Sequence, residues 1–120
     1  RAAEMYLIEA EALTYINEAE AREVLYEFAS NRDSEYTMST NSGDALRAEI
    51  YIQRRVELWG EGFRFYDLKR LNQPLEREGG NHNASLISDR FYVPAGDNSW
   101  QWLIPQDAMN ANPLLEQNPL

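Results

Sequence analysis

The chain has 120 residues, no cysteine, and 20 acidic against 11 basic side chains, which gives a net charge of −9 at pH 7. Such a charge is repelled by a polyanion and argues against nucleic acid as a partner, while the lack of cysteine excludes disulfides, thiol nucleophiles and zinc fingers. The length and the 43% apolar content predict one folded domain, and no apolar run approaches the roughly 20 residues that span a bilayer.

The first thirty residues predict two helices joined by a very short turn, which would pack antiparallel as one unit of a helical-repeat scaffold. In the first helix, apolar side chains recur on one face and four more are expected to widen it: Ala3, Leu7, Ala10, Leu13 or Thr14, with Met5, Ile8, Ala12 and Tyr15. In the second helix, the apolar positions are Ala21, Val24, Leu25 and Phe28. Asn17 is the predicted cap of this second helix.

A third and a fourth helix are predicted after the polar stretch 30–43. Asn41 or Ser42 caps the third helix, which carries Asp44 in its first turn and runs to Gly60. The glycines that follow are expected to end or bend it. The fourth helix covers about 63–71 and stops before Pro74.

The remainder of the chain predicts little regular structure. "DRFYVP" is read as a short strand or as extended chain, and "QDAMNA" as one short turn of helix. Prolines in the tail fix φ and remove backbone donors. The elements together predict an all-α, α-rich fold of tetratricopeptide-like helix pairs with an irregular, proline-containing C-terminal tail.

The stretch "ELWGEGFRFYDLKRL", residues 57–71, combines dense charge with dense aromatics. Two carboxylates one helical turn apart, Glu57 and Glu61, could act as the acid and base of a glycosidase. We favour a structural interpretation, because buried charges need partners and each acid here has a basic neighbour. The predicted ion-pair network contains Arg54, Glu57, Glu61, Arg64, Asp67 and Arg70.

Other candidate sites give weaker signals. His82 is the only histidine and lacks the partners of a metal site or a catalytic triad, and Asn83-Ala84-Ser85 matches the glycosylation acceptor pattern. The aromatic group Phe91, Tyr92, Trp100 and Trp102 is expected to anchor the tail, with Trp102 the more buried tryptophan. If this group instead stacks on a sugar, the candidates for ligand binding are Tyr92 and Trp100. No catalytic residue, metal ligand or cofactor-binding residue is predicted.

Three stretches in the same order resemble a known family. "RAAEMYLIEAEAL" resembles the pattern R-x-x-E-x-Y-L-x-x-A-E-A of SusD/RagB proteins. "IYIQRRVELWGEGFRFYDLKRL" resembles an arginine-rich helix followed by E-L-x-G-E-G-x-R-x-x-D-L-x-R, and "WLIPQDAMNANPLLEQNPL" is similar to the family's ending. The chain departs from many relatives at its last residues, "QNPL", and at Leu71 and Leu75, where relatives often carry aromatics.

The resemblance implies that residues 1–120 form the C-terminal helical domain, with a scaffold role, of a longer nutrient-binding lipoprotein. Members of the family are not enzymes. They lie on the cell-surface side of the outer membrane of Bacteroidetes-type bacteria, bind oligosaccharides for polysaccharide utilisation, and cap a SusC-type TonB-dependent transporter. The lipid anchor and most glycan-contacting loops would lie outside this stretch. Two other functions stay open: a helical-repeat adaptor for a protein partner, and a glycoside hydrolase.

Overall fold

The computed structural model describes residues 1–88 and 90–119. The chain forms two compact units, Arg1–Arg64 and Phe65–Leu120. The elements are α1 (Ala2–Leu13), α2 (Glu18–Ser30), α3 (Gly43–Glu57), α4 (Phe63–Arg70), β1 (Leu75–Glu76), β2 (Tyr92–Val93) and α5 (Gln106–Ala111), with short 3₁₀ turns at Ala84–Ile87 and Asn98–Trp100. The predicted helix-rich fold class is confirmed, whereas its likeness to tetratricopeptide repeats stays a prediction.

The first unit is built around one apolar core to which α1, α2 and α3 all contribute. Its buried members are Leu7, Ala10, Ala21, Leu25, Phe28, Ala29, Leu46 and Ile50. Four of these side chains, Leu7, Leu25, Leu46 and Ile50, are almost completely buried. The predicted cap of α2 is confirmed, because the Asn17 side chain accepts a hydrogen bond from the Glu20 backbone N–H.

The buried face of α1 is narrower than predicted. Met5, Ile8 and Tyr15 are 54%, 45% and 69% exposed, so the expectation that they widen the core face is wrong. An α-helix advances 100° per residue, so Met5 and Ile8 point away from the face of α1 that carries the buried Leu7 and Ala10, whereas Tyr15 lies beyond the end of the helix. The first helix consequently presents a second apolar strip that does not pack in the core of its own unit.

The third helix begins and ends slightly differently from the prediction. Ser42 occupies the N-cap position but makes no side-chain capping bond; the Gly43 N–H instead donates to Glu18 Oε1 at 2.7 Å. The helix ends at Glu57 rather than continuing to Gly60, whose φ of +77° is a left-handed conformation that favours glycine. The fourth helix was predicted well, to within one residue at its end.

The second unit has a small core in which Leu68, Val93 and Trp100 are buried. The stretch "DRFYVP" is predicted as a short strand or as extended chain. Its Asp89 lies outside the described residues, and its Tyr92–Val93 form an antiparallel ladder with Leu75–Glu76, in which Leu75 pairs with Val93. The predicted helical turn at "QDAMNA" is confirmed as α5. The expectation that Trp102 is the more buried tryptophan is wrong: Trp102 is 77% exposed and Trp100 only 7%.

The burial of Trp100 has a local cause. Trp100 lies in a 3₁₀ turn, where its indole Nε1–H donates to the Pro94 carbonyl at 2.6 Å. The chain leaves this turn with Gln101 in an extended conformation, and the backbone therefore carries Trp102 out of the core. A hydrogen-bonded indole inside a small apolar cluster is a stable arrangement, because the polar N–H is satisfied.

Candidate functional site

In the first unit, the most buried charged pair joins α3 to α1. Arg54 is 6% exposed, and its Nη2 donates to Glu4 Oε1 at 3.0 Å. The Arg54 guanidinium also lies 5.5 Å from the centre of the Phe63 ring. A buried arginine with a carboxylate and an aromatic face beside it can fix the angle between two helices; a structural role of Arg54 stays a prediction.

Glu57 and Glu61 are also held by arginines of the first unit. Arg32 donates through Nε and Nη2 to both Glu57 oxygens, at 2.9 and 3.0 Å, and Arg1 forms an ion pair with Glu61. The hydrogen bond from Arg32 lowers the pKa of Glu57 below its ordinary value, against the smaller effect of burial. A glycosidase acid needs a raised pKa, so this geometry disfavours Glu57 as a general acid.

The remaining members of the predicted network lie on α4. Asp67 is 7% exposed and accepts from Arg70 Nε at 2.9 Å, one helical turn away. Arg64 is partly buried on the same helix. The structure brings Asp67 and Arg70 together, and the ion-pair network of all six charged residues stays a prediction.

Sequence reasoning missed the partners that come from outside the 57–71 stretch. The structure ties the first family-like stretch to the second, because Arg1 contacts Glu61 and Glu4 contacts Arg54. The signal was present in the sequence: Arg1 and Glu4 sit three residues apart at the start of an alanine-rich helix. Charges at such positions are costly unless they are paired.

A second polar cluster was missed completely. The Glu49 carboxylate of α3 accepts hydrogen bonds from the hydroxyls of Tyr36 and Ser39 and from the side-chain amide of Asn41. Burial would raise the pKa of Glu49, but these three bonds outweigh it and hold the pKa below its ordinary value. Burial and the bond to Glu49 raise the pKa of Tyr36. The cluster orders the loop between α2 and α3.

The aromatic group of the second unit surrounds Phe65. Its ring centre lies 5.6 Å from that of Trp100 and 6.2 Å from that of Trp102, the latter in an edge-on arrangement. Tyr92 is 51% exposed and therefore offers more free ring surface than the buried Trp100. A role of Tyr92 or Trp100 in ligand binding stays a prediction.

The loop with the lone histidine has local structure of its own. His82 is exposed. Asn83 Oδ1 accepts bonds from the backbone N–H and the hydroxyl of Ser85, so the glycosylation-like tripeptide forms a side-chain-capped turn. Within residues 1–88 and 90–119, no group of three His, Cys, Asp or Glu side chains could hold a metal ion. No helix in the same ranges is long and apolar enough to cross a membrane.

A pocket of about 250 Å³ opens beside Trp100 in the second unit. Its walls are formed by Phe65, Leu75, Arg77, Ile87, Arg90, Val93, Ser99 and Trp100. Leu75 and Val93 are register partners of the two-stranded ladder and form one wall of the pocket together. This pocket could not be predicted from the sequence, because its lining residues are spread over 36 positions of weak periodicity.

Comparison with known proteins decides the family. A family model described as the SusD family matches residues 1–120. The chain belongs to the SusD family. The two stretches joined by the Arg1–Glu61 and Glu4–Arg54 contacts therefore lie in a SusD-family chain.

Two relatives of this SusD-family chain are longer proteins. It is 33% identical, over 98% of its length, to "SusD-like protein P38" of Formosa agariphila, of which it covers 23%. The structure is similar, with a TM-score of 0.79 and 32% identity, to a crystal structure of a SusD superfamily protein from Bacteroides vulgatus ATCC 8482; the match covers 99% of this chain and 26% of that chain. The chain thus spans about a quarter of the relatives it matches.

Proposed function

We propose that this chain is the C-terminal scaffold of a SusD-like nutrient-binding lipoprotein, which works with a SusC-type TonB-dependent transporter in oligosaccharide uptake. The observation that carries the proposal is the family match over all 120 residues of a chain that spans only about a quarter of its relatives. On this proposal the protein acts at the cell-surface side of the outer membrane, and its partners are an oligosaccharide and the transporter.

The scaffold role is supported by how the first unit uses its charges. Arg54 pairs with Glu4 at 3.0 Å, and Glu57 pairs with Arg32 at 2.9 Å. In both pairs the partner comes from another segment of the chain. Such contacts fix the orientation of neighbouring helices, and the hydrogen bond from Arg32 holds the pKa of Glu57 below its ordinary value. They stabilise an architecture and offer no group poised for proton transfer, which supports a binding protein rather than an enzyme.

One observation favours an adaptor as the second candidate. Ile52, Val56 and Trp59 follow one another at i, i+4 and i+7 along α3 and beyond its end, and they are 61%, 69% and 83% exposed. An exposed apolar strip at this spacing is typical of a surface that binds a protein. The adaptor hypothesis predicts binding to a protein partner and no affinity for sugars.

A glycan-array screen tests the proposal, with the longer protein that contains this chain and residues 1–120 alone applied side by side. We expect the longer protein to bind a defined set of oligosaccharides and residues 1–120 to bind none. Binding of neither protein to any glycan would contradict nutrient capture and favour the adaptor. Binding by residues 1–120 alone would contradict the scaffold role and assign the sugar site to the Tyr92–Trp102 aromatics.

A separate measurement tests the assignment as a non-enzyme. Incubation of the longer protein with its array ligands, followed by chromatography of the products, should show intact oligosaccharide. Hydrolysis that Glu57→Gln abolishes without loss of folding would establish the glycosidase instead.

A further inference from the structure

The pocket beside Trp100 in the second unit has an apolar body. Five of its eight lining side chains are hydrocarbon or aromatic: Phe65, Leu75, Ile87, Val93 and Trp100. Its volume of about 250 Å³ lies below the roughly 300–1,000 Å³ of pockets that hold drug-sized ligands. The pocket therefore suits a ligand the size of a single ring. An apolar ring bound there would have its surface removed from water.

The polar part of the lining is cationic. Among the lining residues that the structure describes, the polar side chains are Arg77, Arg90 and Ser99, and none is an acid. This is unusual for a chain with a net charge of −9. Arg90 already contacts Asp97, with Nη2 and Oδ1 3.4 Å apart, and hydrogen bonds from Ser99 lower the pKa of Asp97 and keep it ionised.

Arg77 supplies the unmatched positive charge. Among the described residues, the structure shows no hydrogen bond or ion pair for its guanidinium. Its backbone, in contrast, is fixed on both sides: its N–H donates to the Phe91 carbonyl at 2.8 Å, and its carbonyl accepts from Gly80 N–H at 3.1 Å. The guanidinium is therefore a partly buried donor fork on an anchored segment, which is the group that binds a carboxylate through two hydrogen bonds.

The aromatic wall is anchored as well. The Trp100 indole is held by its bond to the Pro94 carbonyl, and the rings of Phe65 and Trp100 are tilted by 38° with their centres 5.6 Å apart. Side chains fixed before a ligand arrives lose little conformational entropy when it binds. The pocket thus combines a preformed apolar wall with one uncompensated cation.

We propose that this pocket binds a small organic carboxylate with a single apolar ring, its carboxylate on Arg77 and its ring against Phe65 and Trp100. The proposal is independent of the oligosaccharide function, because it concerns a different ligand class. An apolar ring is favoured over a sugar ring because five lining side chains have no hydrogen bond to offer, and a buried sugar hydroxyl without a partner loses affinity.

Benzoate is the probe that tests the proposal, in a ¹H–¹⁵N NMR titration of residues 1–120. The Trp100 indole N–H, assigned by comparison with Trp59→Phe and Trp102→Phe variants, reports on the pocket. Three comparison probes separate the parts of the ligand: benzyl alcohol lacks the charge, acetate lacks the ring, and glucuronate has a polar ring. We expect benzoate to shift the indole resonance with low-millimolar affinity, as suits a ligand of about nine non-hydrogen atoms, and to bind at least about 10-fold more tightly than each comparison probe.

Variants of Arg77 provide the second test. Arg77→Gln should weaken benzoate binding about 10-fold or more. Arg77→Lys keeps the charge but loses the paired guanidinium donors, and its affinity for benzoate should lie between those of the original chain and Arg77→Gln. Arg55→Gln is the matched control, because Arg55 is an exposed arginine of α3 outside the pocket; it should leave binding unchanged. Circular dichroism of each variant checks that the fold is retained.

Each alternative outcome contradicts the proposal. No shift of the Trp100 indole with benzoate would remove the site. Equal affinity for benzyl alcohol would make it a plain apolar pocket, and equal affinity for acetate would show that the ring plays no part. Tighter binding of glucuronate would assign the pocket to acidic sugars. Equal effects of Arg77→Gln and Arg55→Gln would show that Arg77 does not hold the carboxylate.

Discussion

The contact between Glu4 and Arg54 gives the sharpest prediction about stability. Replacing Glu4 by glutamine keeps the size of the side chain but removes the charge that faces Arg54 Nη2 at 3.0 Å. The arginine is still held inside the first unit, near the Phe63 ring, with less of its charge compensated. The free energy of unfolding should therefore fall.

The magnitude follows from the burial of the two side chains. The side chains of Arg54 and Glu4 are 7% and 16% exposed, so the pair resembles a buried ion pair more than a surface one. Losing one partner of a buried pair costs about 3–5 kcal/mol, whereas a surface pair is worth about 0–1 kcal/mol. The retained amide can still accept one hydrogen bond, which reduces the loss. We expect a loss of about 2–3 kcal/mol, or a fall in Tm of roughly 10 °C for a chain of this size.

Urea unfolding followed by circular dichroism measures this loss, with Glu9→Gln as the control. Glu9 lies on the same helix, is exposed, and undergoes the same chemical change, so its replacement should alter the free energy of unfolding by less than about 0.5 kcal/mol. If Glu4→Gln changes stability no more than Glu9→Gln does, the Glu4–Arg54 contact does not hold α1 to α3.

Three further predictions concern other parts of the chain. Glu49→Gln should lower the free energy of unfolding by about 1–2 kcal/mol at pH 7. Because the pKa of Glu49 is lowered in the folded chain, this difference should persist above about pH 5 and shrink as the pH falls through the folded pKa. Urea unfolding at a series of pH values measures it. Gly60→Ala should cost about 1 kcal/mol, because φ is +77° there; an unchanged Tm would refute this strain. Trp100→Ala should lower stability by about 3–5 kcal/mol and Trp102→Ala by under about 0.5 kcal/mol, and equal thermal shifts would contradict the assigned burial.

Much of the helical architecture could be predicted, because the apolar spacing and the capping residues act locally. The second helix, with its Asn17 cap and its buried Leu25 and Phe28, follows directly from a period of 3.6. The width of the buried face of α1 could not be predicted in the same way. Met5 and Ile8 have the same hydrophobic character as Leu7, and only the placement of α2 and α3 decides which of them is buried.

The charged contacts were predicted by residue type rather than by partner. The sequence indicates that Glu57 needs a cation, but four arginines lie within a few turns of it, and the structure supplies Arg32, 25 positions away. Long-range pairing depends on how α2 returns to α3, which no local pattern encodes. The same limit applies to the two tryptophans, where the turn that ends at Trp100, rather than hydrophobicity, decides that it is buried and Trp102 exposed.

The most direct test of the scaffold role is a binding measurement with the longer protein that contains this chain. Its best array ligand would be titrated by calorimetry into the original protein and into a Tyr92→Ala, Trp102→Ala double variant, which removes two exposed aromatics of the second unit. If residues 1–120 support a sugar site that lies elsewhere, both proteins should show the same Kd within a factor of two. A loss of affinity of 10-fold or more, with unchanged Tm, would place the sugar on these aromatics and contradict the scaffold role.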